Sequence, residues 1–227
     1  MTDEKRGYRK KERAAAEART RLRITESVVE LHGTLGPSRT SISAIAERAG
    51  VRRSTVYRHF PDEAALFAAC TAHWNEANPA PDVAAWTSID APDERLRAGL
   101  TELYAYYRRT ERMMANLHRD EATMPLVAEL FAGFRGYLAA AAETLAAGWP
   151  AGGQVRAAIG HAVAFSTWRS LAREQELDDE QAAELMCRLA VAASPAVSGP
   201  QPARAPGALP ASGGRSLARS ASRSGRR

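Results

Sequence analysis

Apolar residues recur at intervals of three and four along most of this chain, which is the spacing of one face of an α-helix. In residues 18–36 this spacing predicts a helix that ends near Gly33 or Gly36. Residues 42–49 carry their apolar positions on one side of a two-turn helix, and Gly50 is suited to end it because glycine tolerates positive φ. The N-terminal part of the chain is therefore predicted to consist of short helices.

A second short helix is predicted directly afterwards, over residues 54–60. Val56 and Phe60 are four positions apart and are expected to face inward, with Ser54 or its neighbour as the cap. Two short helices joined by a short turn that contains glycine form a helix-turn-helix, here over about residues 41–60.

Longer helices are predicted after a proline-rich connection. One begins at Asp90 or Pro92, a shorter one covers residues 111–124, and a long one covers residues 125–148. The last two helices are predicted over residues 153–174 and 178–193. The pattern predicts an all-α fold, with a three-helix helix-turn-helix domain followed by a larger helical domain.

The last predicted helix is apolar around too much of its circumference for a surface helix. Its apolar positions sweep roughly 240° at 100° per residue. The excess predicts burial on both flanks, by its own domain on one side and by a second copy on the other, so we expect a homodimer. The expected interface residues of the last two helices are Val155, Ile159, Val163, Leu185, Met186 and Leu189.

Composition narrows the class of protein without naming a chemistry. No apolar run is long enough for a membrane span, and the N-terminal residues lack the apolar stretch of a secretory signal. Cys70 and Cys187 lie far apart and outside any metal-binding pattern, which favours reduced thiols in a cytoplasmic protein. We predict neither a metal site nor a cofactor.

The net charge of +5 is unevenly distributed. Residues 1–23 hold nine basic and four acidic side chains, and residues 194–227 hold six arginines and no acid. Beside a DNA-binding helix such basic ends either follow phosphates or simply solubilise the protein. The predicted parts are a basic arm, a helix-turn-helix domain, a regulatory and dimerisation domain and a disordered tail, over residues 1–16, 17–77, 78–193 and 194–227.

The second helix of the helix-turn-helix concentrates positive charge and hydrogen-bond donors. Residues 50–60, GVRRSTVYRHF, contain three arginines and no acidic residue. The second helix of this motif enters the major groove of DNA, where arginine pairs with guanine or phosphate and hydroxyls donate to phosphate. The predicted contacts with double-stranded DNA, including two residues at the start of the motif, are Thr40, Ser41, Arg52, Arg53, Ser54, Thr55, Tyr57, Arg58 and His59.

Three motifs in residues 20–67 are distinctive: an Ile-Ala-x-x-Ala-Gly-Val turn, a Thr-x-Tyr-x-His-Phe ending, and a Leu-Phe pair after a short acidic stretch. With them the segment strongly resembles the N-terminal domain of TetR-family transcriptional regulators. The resemblance implies an all-helical homodimer whose larger domain usually binds a small inducer, with Thr55, Tyr57 and His59 as DNA contacts. The expected function is a non-enzymatic regulator, by family habit a repressor, that binds a palindromic operator and is released by a small apolar ligand.

One position departs from the family pattern. The family commonly has a lysine directly after Phe-Pro-Asp that touches phosphate, and this chain has Glu63 there. A carboxylate suits a helix N-terminus but repels the DNA backbone, so we infer a lost phosphate contact that the basic arm would offset.

Aromatic, methionine and histidine side chains of the larger domain are candidates to line an apolar cavity, although the same spacing is typical of an ordinary core. The candidates are Tyr104, Tyr107, Met114, His118, Phe131, Phe134, Phe165 and Trp168. Two other functions compete with the regulator. An enzyme has no support from any nucleophile elbow, phosphate-binding loop or carboxylate pair, and an interaction protein with a decayed DNA-binding domain has support from Glu63 alone.

Overall fold

A computed structural model describes residues 2–194, which are helical apart from short connections. The helices are α1 (Thr2–Thr34), α2 (Ile42–Arg48), α3 (Arg53–His59), α4 (Glu63–Ala77), α5 (Pro92–Asp120), α6 (Pro125–Ala146), α7 (Gly153–Ala162), α8 (Phe165–Arg169) and α9 (Asp179–Ala193). The described residues contain no strand, so the all-α prediction is confirmed. The predicted tail after Ser194 lies outside these residues, and no helix within them is both long and apolar enough to cross a membrane.

The N-terminal domain, called the head below, consists of α1 to α4 around a small aliphatic core. Ile24 and Val28 of α1 are fully buried against Ile45 of α2 and Val56 of α3. The turn between α2 and α3 depends on Gly50, whose φ of 63° lies in the left-handed region. These contacts set the orientation of α3 relative to α1 and α2.

The predicted basic arm is the first half of α1 rather than a separate segment. Residues 14–16 are three alanines, the strongest helix formers, and they connect the arm to the buried part of the helix without a break. The side chains of residues 5–19 are exposed, whereas Ile24 is fully buried. The arm is therefore a helical extension of the head.

The larger domain, called the body below, is arranged around α5. This helix is 29 residues long and includes the segment predicted as a separate helix over residues 111–124. That prediction was wrong because no glycine or proline interrupts the helix near Thr110, and both segments bury the same face. Helix α5 packs against α1, α6, α8 and α9, so it connects the head with most of the body.

The single helix predicted over residues 153–174 is broken after Ala162. Helix α8 starts at Phe165 and continues into a π-helical turn over Ser170–Glu174. The buried hydroxyls of Tyr104 and Tyr107 donate to the carbonyls of Ala162 and Val163, at 2.9 and 2.6 Å. Because the break leaves these carbonyls without helical partners, the tyrosines satisfy groups that would otherwise be buried and unpaired.

The C-terminal end of α5 holds the end of α1. The amide of Asn116 donates to the carbonyls of His32 and Gly33, at 2.9 and 3.0 Å. Arg119 donates to the carbonyl of Leu35 at 2.9 Å, and the buried carboxylate of Asp120 accepts from the backbone N–H of Ser38 at 2.9 Å. The head is thus joined to the body by directional hydrogen bonds as well as by apolar contacts.

Candidate nucleic-acid interface and ligand cavity

Helix α3 presents an exposed basic face to solvent. Arg52, Arg53, Ser54 and Arg58 are exposed, and the side chain of Tyr57 is 48% exposed. On the opposite side, Val56 and Phe60 are buried in the head core, as the sequence predicts. The helix begins at Arg53, with Arg52 as its N-cap, so Ser54 lies inside the first turn instead of capping it.

The end of α3 is held by a cation from α1. The guanidinium of Arg21 donates to the carbonyl of His59 and lies 4.0 Å from the centre of the Phe60 ring. A cation is favourable at a helix C-terminus because the last carbonyls carry partial negative charge. Arg21 therefore stabilises the C-terminal end of α3 and leaves the exposed face of α3 accessible.

His59 lies at the edge of this face and is only half-buried. Its Nε2 is shielded from solvent and has no hydrogen-bond partner among the described residues. Burial lowers the pKa of His59, and the nearby Arg58 and Arg21 lower it further. The lowered pKa favours the neutral form of the imidazole, whose Nε2 is covered by neighbouring atoms.

Thr40 and Ser41 lie at the start of α2, and the hydroxyl of each already forms a hydrogen bond with a backbone group. The hydroxyl of Thr40 donates to the carbonyl of Gly36 at 2.8 Å, and the hydroxyl of Ser41 accepts from the N–H of Ala44 at 3.1 Å. Ser41 is the N-cap of α2. Ser41 is exposed and Thr40 is half-buried, so of the two Ser41 is the more accessible to a phosphate.

Glu63 is the first residue of α4 and is exposed. The helix is capped by the carboxylate of Asp62, which accepts from the N–H of Ala65 at 2.7 Å. Two carboxylates thus stand at an end where a phosphate-binding helix would present free N–H groups and a cation.

A cavity of about 450 Å³ lies at the junction of head and body. It is lined by side chains of α1, α4, α5 and α6, most of them aromatic or sulfur-containing. The principal lining residues are His32, Phe67, Cys70, Trp74, Tyr106, Met113, Met114, Leu117, Phe131, Phe134 and Tyr137. Polar groups come from Thr71, Asn75 and Asn78 of α4 and its C-terminal end.

The cavity carries no net charge at neutral pH. Burial lowers the pKa of His32 to about 4 against a smaller opposing effect of Asp120, and burial raises the pKa of Cys70 to about 12. The Sγ of Cys70 lies 3.7 Å from the Nδ1 of His32. Both groups are consequently neutral, and the lining contains no Asp, Glu, Lys or Arg side chain.

Only part of the predicted cavity lining lies at this cavity. Met114, Phe131 and Phe134 line it, whereas five other candidates do not: Tyr104, Tyr107, His118, Phe165 and Trp168. The two tyrosines and Trp168 are fully buried in the packed core, where Trp168 donates to Asp179 at 2.8 Å. Phe165 packs beside them, and His118 is exposed and stacks on Phe165, with ring centres 5.1 Å apart.

The residues that sequence reasoning missed come mainly from α4. Phe67, Cys70, Thr71 and Trp74 recur at i, i+3, i+4 and i+7, which is one face of a helix. Leu66 and Cys70 of α4 belong to the core of the head. The additional apolar positions on α4 could have indicated that this helix contacts the body as well.

The predicted dimer residues divide between the core and the surface. Val155, Ile159, Val163 and Met186 are buried inside their own chain, because α7 and α9 pack against each other and α9 packs on α5. These four side chains are therefore not free to contact a partner. Leu185 is half-buried and Leu189 is 48% exposed on one flank of α9, whereas Val191, which is 55% exposed, lies on the opposite flank.

Part of the head matches a known family, and most of the chain aligns with solved structures of similar fold. Residues 24–70 match the model for bacterial regulatory proteins of the tetR family. No curated protein matches the sequence. A TetR-like transcriptional regulator from Rhodococcus sp. RHA1 aligns with a TM-score of 0.56 and 20% identity, over 76% of this chain and 93% of that one.

A second solved structure shares the fold to a similar extent. NalD, the secondary repressor of the MexAB-OprM multidrug efflux pump in Pseudomonas aeruginosa, aligns with a TM-score of 0.55 and 20% identity, over 81% of this chain and 99% of that one. Structural similarity at this level of identity establishes a common arrangement of helices and nothing narrower.

A short basic helix, braced by a glycine-containing turn and open to solvent, defines the class: a helix-turn-helix protein that binds DNA. The match to the family model narrows the class to one family. Residues 24–70 of the head match the tetR family of bacterial regulatory proteins, so the resemblance seen in the sequence is confirmed.

Proposed function

We propose that the protein is a cytoplasmic transcriptional repressor that binds a palindromic operator as a homodimer and releases it when a small apolar ligand occupies the cavity. The observation that carries the proposal is the exposed face of α3. Its arginines and Tyr57 are open to solvent, no acidic residue lies on the helix, and Val56 and Phe60 anchor its other side. Side chains of this kind bind base edges and phosphates in the major groove.

The homodimer is supported by an apolar surface on α9. Leu189 is one of the most exposed large apolar side chains among the described residues, and the half-buried Leu185 lies one turn before it on the same face of α9. Exposed apolar groups this close together favour association because their burial removes apolar surface from water. A two-fold axis next to α9 would pair two copies of α3, which is why the operator is expected to be palindromic.

The ligand is proposed to be uncharged and aromatic or aliphatic. The cavity has the volume of a typical small-molecule site, its walls are mainly aromatic rings and methionines, and its titratable groups are neutral at pH 7. A charged compound would lose its hydration without gaining an ionic partner. Because α1 and α4 of the head line the cavity, a ligand there would contact the domain that carries α3.

Selection of bound duplexes from random-sequence DNA tests the operator. We expect one palindromic sequence to be enriched by the wild-type protein. Arg53→Ala and Tyr57→Ala should each weaken binding to it by about 5- to 150-fold, since a good base or phosphate contact contributes ~1–3 kcal/mol. Arg112→Ala, which removes an exposed arginine from α5, is the matched control and should bind like the wild type.

Light scattering and thermal denaturation test the other two parts of the proposal. We expect a dimeric mass, and a monomeric mass for Leu189→Glu, which places a charge in the apolar surface of α9. A panel of uncharged aromatic compounds should contain members that raise the melting temperature and dissociate the protein from its operator. A monomeric wild type, or compounds that bind while leaving the DNA complex intact, would contradict the respective part.

A further inference from the structure

The exposed half of α1 carries more positive charge than a solubilising helix needs. Five basic residues, Lys5, Arg6, Arg9, Lys10 and Arg13, fall within an arc of about 140° when successive residues are placed at 100°. We call this surface the arm face. All five side chains are exposed.

The arm face is arranged against the preferences of an isolated helix. Lys5 and Arg9, Arg9 and Arg13, and Arg6 and Lys10 are like-charged pairs at i, i+4, and each such pair destabilises a helix in water. A helix selected only for solubility gains more from alternating charges at this spacing. A polyanion that binds along the helix would attract each of these cations and so offset the repulsion between them.

The arm face lies on the side of α1 that is turned toward the rest of the head. Its arc contains the directions of Ile24 and Val28, which are buried against α2 and α3. Arg21, at the edge of the same arc, contacts the last residues of α3. One acidic side chain, the exposed Glu17, lies within the same arc between Arg13 and Arg21. The arm face is therefore a basic surface on the α3 side of α1 that begins about one turn beyond Glu17 and extends towards the N-terminus.

The length of the arm suits a duplex that extends past α3. From Arg21 to Lys5 a regular helix rises about 24 Å, which equals about seven base-pair steps at 3.4 Å. The exposed arginines of α3 supply the other end of the same positive surface. Charge and length both match double-stranded DNA next to the site that α3 occupies.

We propose that the arm face is a second DNA-binding surface, which contacts phosphates beside the base pairs that α3 recognises. This proposal rests on the proposed function, since it requires that the head bind double-stranded DNA. The arm contributes affinity that is independent of sequence, because phosphates are the same in every duplex. It also supplies the phosphate contacts that Glu63 does not provide at the start of α4.

The test compares two double variants that remove the same charge from different faces. Arg9→Gln with Arg13→Gln changes the arm face, whereas Lys11→Gln with Arg19→Gln changes exposed positions outside it. Glutamine has nearly the helix propensity of lysine and arginine, so helicity should be preserved. Binding to a duplex of arbitrary sequence, about 40 base pairs long, is measured by fluorescence anisotropy between about 50 and 300 mM KCl.

For the arm-face variant, the slope of log Kobs against log[KCl] should become shallower by about two for each bound subunit, and so by about four for the dimer. For the control, the slope should stay within about 0.5 of the wild-type value. Equal changes in the two variants would reveal general electrostatic attraction and overturn the proposal. Unchanged slopes in both, as expected if the arm face bound a membrane or an acidic protein, would also overturn it.

The selected operator separates this proposal from the proposed function. Adding about seven base pairs of arbitrary sequence on each side should strengthen wild-type binding and leave the arm-face variant unaffected. An equal gain for both proteins would overturn the arm while the operator preference stood. If the wild type selected no operator, the proposed function would fail, and the slopes on arbitrary DNA would still report on the arm.

Discussion

The exposed face of α3 and the cavity at the head–body junction are built in opposite ways. The first is a set of neighbouring side chains on one seven-residue helix, positioned by Val56, Phe60 and the turn at Gly50. The second is assembled from side chains of four helices that are up to about a hundred residues apart in the chain. Changes to the α3 face are therefore expected to stay local, whereas a shift of any one of four helices reshapes the cavity.

The difference also separates the chemistry of the two regions. The α3 face is charged and hydrated, so its contribution to folding is small and its contribution to binding depends on salt. The cavity is apolar and neutral, so its walls contribute to both stability and ligand binding. The following substitutions compare residues of the packed core, the cavity lining and the DNA-binding head.

Trp168→Ala should have the largest effect. The side chain is fully buried and donates to Asp179, so its loss should lower the free energy of unfolding by about 3–5 kcal/mol. Phe134→Ala, at a half-buried position in the cavity wall, should cost only about 1–2 kcal/mol, because the side chain is already partly unpacked. Denaturant unfolding measures both, and equal losses would mean that the cavity wall is as tightly packed as the core.

The pH dependence of stability should show the neutral state of His32. Burial lowers its pKa from 6.5 to about 4, so the unfolded chain binds a proton between these values that the folded chain does not. Stability is therefore complete above pH 6.5 and should fall by about 3 kcal/mol as the pH decreases towards 4. His32→Leu should remove this part of the dependence, and a wild-type curve that coincides with the variant between pH 6.5 and 4 would contradict it.

Glu63→Lys should have the smallest effect on folding and a measurable effect on DNA binding. The exchange places a cation at a helix N-terminus, at a cost of about 0.3–1 kcal/mol of stability. One added phosphate contact should steepen the salt dependence of DNA binding by about one for each subunit, and so by about two for the dimer. Glu76→Lys, an equal charge change in the last turn of the same helix, is the control, and the same steepening there would contradict a local contact at position 63.

The head could be predicted from the sequence because its determinants are local. Ser41 as cap, Gly50 in the turn, and the inward pair of Val56 and Phe60 all act within twenty residues of one another. The identity of the α3 face follows from them, since fixing two inward residues of a short helix fixes which others point outward.

The body could be predicted only as a set of helices. Tyr107 and Tyr106 are adjacent, and nothing in the local sequence reveals that the first donates to Val163 while the second faces the cavity. The choice depends on where α8 meets α5, more than fifty residues away. In the same way, the apolar arc of α9 indicated two buried flanks but not that Met186 faces inward and Leu189 outward.

The turn at Gly36 fixes the C-terminal end of α1, the longest helix described. Gly36 has a φ of 94°, and a Cβ there would clash with the guanidinium of Arg119 and lie 2.7 Å from the carboxylate of Asp120. Helix α1 extends from this pivot for 33 residues, or about 50 Å, so a tilt of only about 5° would carry its far tip roughly 4 Å. That sweep is about the height of one base pair. A disturbance too small to alter the packing around the pivot is thus magnified most strongly at the tip of α1.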